Sequence, residues 1–74
     1  MKELFSVGDR IYGFCNGFFD RDDYTDKICV NVTDNYAVFQ YLSGRFEGYA
    51  TVLNYTEILS KEMVDKWKDK NQDY

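Results

Sequence analysis

Seventy-four residues allow one domain, leave no cleft between two, and bury only about 60% of the surface that the unfolded chain exposes. An apolar fraction of 45% and an aromatic fraction of 19%, spread along the chain, exclude disorder. Thirteen acidic against nine basic side chains give a net charge of −4, which disfavours direct nucleic-acid binding through a basic face.

In chain order, "SVGDRIYGFC" opens the fold, with Gly8 and Asp9 as a turn. Ile11, Gly13 and Cys15 then alternate with Arg10, Tyr12 and Phe14, a strand pattern. Asn16-Gly17 breaks that strand, and the acidic aromatic stretch "GFFDRDDYTD" runs to Asp26. "KICVNVT" follows, with Ile28, Val30 and Val32 on one face of a half-buried strand and Lys27, Cys29, Asn31 and Thr33 on the other. Asp34-Asn35 tolerates positive φ and predicts a tight primed hairpin turn. In "YAVFQYL" both faces are apolar, Val38 and Leu42 on one and Ala37, Phe39 and Tyr41 on the other. Such a strand is covered on both sides, whether by barrel curvature, by the terminal helix or by a partner.

"SGRFEG" reads as the next loop. In "YATVLNY", Tyr49, Thr51 and Leu53 alternate with Ala50 and Val52, a fourth strand, and residues 55–58 fit a short fifth strand or 3₁₀ turn. Ser60 is an N-cap for "KEMVDKWKDK", a helix with Met63, Val64 and Trp67 on one face and a Glu62–Lys66 pair on another. Residues 71–74 form a frayed tail behind a single domain spanning 1–70. Four to five short antiparallel strands and one C-terminal α-helix predict a mainly β fold, a small SH3-like barrel whose closure removes exposed sheet edges.

Two stretches carry a family resemblance. "FSVGDRIYG" is similar to the turn and strand that open SH3-like barrels, KOW and Tudor domains included. "GRFEGYATVLNYTEIL" resembles the end of an SH3 domain, with Gly48, Asn54 and Tyr55 matching its "G-x-hydrophobic-P-x-N-Y" segment. The resemblance implies the barrel. Proline-rich peptide recognition does not carry over: the ALYDY-type start and the proline are absent, and Trp67 falls in the helix.

Chemistry is sparse. Without histidine, the usual general base near neutral pH is missing. Cys15 and Cys29 fit neither a metal spacing nor a redox pair and read as small buried apolar residues. Counted from Asp20, a calcium loop fails at Tyr24, Thr25 and Asn31, and no phosphate-binding glycine loop occurs. The expectation is a non-enzymatic protein with neither metal nor cofactor. "MKELFSVGD" has no apolar signal-peptide core and no run is long enough to cross a bilayer, so the chain reads as cytoplasmic with reduced thiols.

That leaves the acidic aromatic stretch. Extended backbone sends Phe18 and Phe19 to opposite sides, one into the core and one outward with Tyr24. Phe19, Asp20, Asp22, Asp23, Tyr24 and Asp26 are therefore the candidate partner-binding residues, an aromatic anchor within an acidic steering field for a basic protein surface. Tyr12, Tyr49 and Tyr55 are secondary candidates. By compositional analogy, small acidic proteins of this kind include phage and mobile-element inhibitors of host or defence proteins. A nucleic-acid-binding protein is one such target, met by carboxylates that mimic phosphates. Three alternatives stand beside this reading. The acids only solvate a loop; or aromatics stack on nucleic acid with Arg10, Lys27 and Arg45 as phosphate contacts; or a homodimer covers "YAVFQYL".

Overall fold

The computed structural model describes residues 1–19, 24–54 and 59–70. The protein is mainly β. One four-stranded antiparallel sheet, in the order β1-β2-β3-β4, comprises β1 (Arg10–Ile11), β2 (Lys27–Val32), β3 (Ala37–Tyr41) and β4 (Ala50–Leu53). A short helix, α1 (Lys61–Trp67), completes it. The expected fifth strand at 55–58 and the tail at 71–74 lie outside the described residues.

The inner face of the sheet is built from three cross-strand rows. Ile11 pairs with Lys27, which pairs with Tyr41; Cys29 pairs with Phe39 and Phe39 with Thr51; Val32 pairs with Ala37 and Ala37 with Leu53. All of these are buried except Val32, which is half-buried against the same core. Phe39 lies at the centre, edge-on to Phe5 at 5.0 Å and to Phe19 at 5.3 Å. Such edge-to-face pairs place a positive ring edge on a negative ring face.

The inward face of β2 corrects the sequence expectation. Ile28, Val30 and Val32 were expected to share the core face, yet Lys27 and Cys29 are buried, and Val30 is 43% exposed. From Lys27 to Val30 the alternation is regular with Lys27 and Cys29 inward, and a bulge then breaks it: Cys29 pairs with Phe39 and Asn31 with Val38, so Val30 and Asn31 together oppose one residue. The extra residue reverses the side-chain alternation, and Val32 returns to the inner face opposite Ala37.

Two turns also differ from expectation. The β2–β3 turn is not primed, since Asn16 and Tyr24 are the non-glycine residues of positive φ among those described. Instead the Thr33 hydroxyl accepts from the Asn35 and Tyr36 amides at 3.2 and 3.1 Å, and the Thr33 amide donates to Tyr36 O at 2.8 Å. The primed geometry occurs at Asn16-Gly17, where φ is 57° and 77° and the Phe18 amide donates to Cys15 O. Strand β1 is shorter than expected. Gly13 takes φ 72°, and the Tyr12 amide donates to Trp67 O at 2.8 Å instead of continuing a ladder. The alternation nonetheless persists in burial, with Ile11, Gly13 and Cys15 inward.

Helix α1 follows expectation at its start, where Ser60 Oγ accepts from the Met63 amide at 3.1 Å. Val64 and Trp67 are buried and Met63 packs beside them. The ion pair seen on its surface is Lys61–Asp65, at 3.0 Å. After the helix, Lys68 Nζ donates to Leu4 O at 2.7 Å and meets Asp9 Oδ2 at 3.2 Å, binding the helix end to the N-terminal turn. No helix among the described residues is long and apolar enough to cross a membrane.

Thr51 Oγ1 is buried with no hydrogen-bond partner among the described residues. Thr51→Val removes that desolvated hydroxyl at nearly constant volume and should stabilise the fold by about 1 kcal/mol, read as a higher urea midpoint at unchanged slope. Burial also raises the Cys29 thiol's pKa, outweighing the opposing backbone hydrogen bond of Asn31, with the charge of Asp9 raising it further and that of Lys68 opposing. Thiolate is the reactive form, so Cys29 should resist a disulfide reagent at pH 8 in native protein and react promptly in denaturant.

Candidate functional site

The segment from Gly13 to Thr25 leaves the sheet after β1 and returns at β2, and Lys27 closes it. The Lys27 side chain is fully buried. Its ammonium donates to Gly13 O at 3.2 Å and to Thr25 O at 2.8 Å, joining the two ends of the segment. The rings of Phe19 and Tyr41 lie 5.1 and 5.6 Å from Nζ, within cation–π range. A buried ammonium is tolerated here because oxygen dipoles and ring faces replace part of its lost hydration. Lys27 as a phosphate contact is thereby corrected: it faces the core.

Phe19 is corrected too. Only 4% exposed, it packs between Phe39 and Trp67, the latter ring 6.1 Å away. Phe18 is half-buried and also lies on Trp67, at 5.7 Å. Both phenylalanines turn inward because Trp67, brought from the far end of the chain, offers them an apolar wall. Trp67 is held there by Nε1 donating to Asn16 Oδ1 at 2.8 Å.

The outward aromatic is Tyr24, 62% exposed with φ 72°. Its ring lies 5.5 Å from that of Phe14, which is also exposed. Phe14 was missed in the sequence as a site residue, since its alternation marked only the polar side of a strand. Asp26 is partly buried, and its carbonyl accepts from the Leu42 amide at 2.9 Å, placing the segment's end beside the end of β3. Asp20, Asp22 and Asp23 lie outside the described residues, as does Tyr55.

The β3–β4 loop adjoins this segment. A Cβ added at Gly44, where φ is 78°, would come within 3.0 Å of Thr25 Oγ1, so this glycine permits the close approach. Beyond it Arg45 lies over the Phe46 ring at 5.9 Å, and Phe46 contacts Tyr41 and Tyr49 at 6.2 and 6.0 Å. Tyr49 is exposed and Tyr12 is half-buried. The two loops thus set two aromatic groups at one end of the sheet. Among the described residues, no group of three or more metal-ligating side chains converges.

No family model, curated protein or solved structure matches the chain.

Lys27→Met keeps the buried volume but strands the Gly13 and Thr25 carbonyls. It should destabilise the protein by about 1–3 kcal/mol in urea unfolding and raise amide exchange between residues 13 and 25 before global unfolding.

Proposed function

We propose that this protein is a non-catalytic interaction module, of small β-barrel type, that binds a basic protein surface through the segment closed by Lys27. The observation that carries the reading is the exposed Phe14–Tyr24 pair at the end of a stretch with four aspartates and one arginine. Carboxylates steer a Lys/Arg-rich surface into contact, and a cation desolvated over the Tyr24 face holds it there. Tyr24 replaces Phe19 as the anchor. Phe14, Tyr24 and Asp26, with Asp20, Asp22 and Asp23, make up the proposed surface. With composition as the only guide to its biological setting, we extend the reading to a phage- or mobile-element-type inhibitor that occludes a host or defence protein.

The test is affinity capture from nuclease-treated lysate of the source cell, followed by titration of the captured partner. A partner with a basic surface should be held by wild type. The Asp20/Asp22/Asp23/Asp26→Asn variant should lose it, and Tyr24→Ala should bind about 30-fold more weakly, the loss typical of a central aromatic anchor. Equal binding by all three proteins would reduce the segment to a solvated loop. Capture abolished by nuclease would instead favour nucleic acid as the partner.

A further inference from the structure

Asn16-Gly17 forms a turn whose residues invite a chemical change that its geometry opposes. Of the chain's five asparagines, only Asn16 precedes a glycine. With no Cβ beside it, the Gly17 nitrogen is the least hindered main-chain nucleophile that an asparagine side chain can meet. In the reaction that nitrogen gives its proton to solvent and attacks Asn16 Cγ. The Cγ–Nδ2 bond breaks, and Nδ2 takes a proton from solvent and departs as ammonia. Water then opens the cyclic imide at either carbonyl. One opening gives aspartate, and the other gives isoaspartate, with the main chain rerouted through Cβ and Cγ. No oxidant or reductant takes part.

Closing that ring requires Cγ and the Gly17 nitrogen on the same side of the Asn16 Cα–C bond. At φ 57° Asn16 lies in the left-handed region, where ψ is about +30 to +60° and the two groups stand nearly opposite. The Phe18 amide closes the turn on Cys15 O at 3.1 Å, and Trp67 Nε1 holds Asn16 Oδ1 at 2.8 Å. Trp67 is seated in turn by its carbonyl, which accepts from the Tyr12 amide at 2.8 Å. Asn16 and Gly17 are nevertheless exposed, so water is at hand once the turn opens. We propose that Asn16 is a deamidation site gated by Trp67, shut while α1 is docked and reactive when the helix end lifts away. A seven-residue helix that depends on packing is the element best placed to open without the sheet. The two products then differ in effect. Aspartate still offers the indole an acceptor and adds one negative charge to the −4 of the chain. Isoaspartate adds a methylene to the main chain, so the turn between Cys15 and Phe18 cannot close as before and the acceptor for Trp67 is displaced.

Reduced protein incubated in neutral buffer, sampled over weeks and read by peptide mass spectrometry at residue 16, tests the gate. Wild type should convert on the order of 100-fold more slowly than the same chain in urea. Trp67→Phe, which keeps a ring but removes the donor, should convert about five- to tenfold faster than wild type. If circular dichroism shows that variant unfolded, Ser60→Ala takes its place: losing the N-cap loosens α1 away from the turn and should speed conversion about fivefold. Val52→Gly weakens the sheet from its exposed outer side and should leave the rate at the wild-type value. A native wild type that converts as fast as the chain in urea overturns the proposal, as does a folded helix variant that converts no faster than wild type. Acceleration by Val52→Gly equal to that of the helix variant also overturns it, since the site would then open through global unfolding.

Discussion

The buried ammonium of Lys27 is the constraint on which the end of the sheet that carries Tyr24 depends. A segment that leaves the sheet at Gly13 and returns at Thr25 must be closed against its own chain entropy, and one side chain grips both ends. Because the grip is a charge held by carbonyl oxygens inside the core, slack is costly: a carbonyl that lets go leaves the charge poorly solvated. Phe19 and Tyr41 complete the enclosure, so the same contact that closes the segment also carries Phe19 into the core. With Phe19 buried and Phe18 half-buried, Tyr24 and its neighbour Phe14 are the exposed rings of the described part of the segment.

Trp67 is the second fixed point, and it links the chain's two halves. Its indole donates to Asn16, its backbone carbonyl accepts from Tyr12, and its rings wall in Phe18 and Phe19. A seven-residue helix is too short to be stable alone, so packing against the strand segment is what holds it. Lys68 adds a tie from the helix end to Asp9 and Leu4. The segment bearing Tyr24 is thus anchored at one side by the sheet through Lys27 and at the other by the helix through Trp67.

The two faces of the sheet are set by register. None of the four described strands carries an acidic residue, and the bulge at Val30 decides which side chains of β2 face the core. Without it, the alternation along β2 would not change and Val32 would turn outward.

Much of the architecture was legible from residue pattern alone. Alternation marked all four strands, Ser60 marked the helix start, and the Met63–Val64–Trp67 face was read correctly because helical period and capping are local properties. The inward side of β3 was not singled out, since both faces of "YAVFQYL" are apolar; Ala37, Phe39 and Tyr41 are the buried set, and Val38 and Leu42 are half-buried. Nor was the side of β2 legible. Hydrophobicity pointed to Ile28, Val30 and Val32, whereas burial of Lys27 requires carbonyls from residues 13 and 25 and rings from residues 19 and 41, a meeting no local pattern encodes. The choice among Phe18, Phe19 and Tyr24 likewise depended on Trp67, nearly fifty residues further along. Composition and period by themselves determined an acidic, aromatic-rich, mainly β domain with one terminal helix. Which aromatic faces solvent was decided only in the tertiary structure, because it follows from long-range contacts that compete for the same side chains.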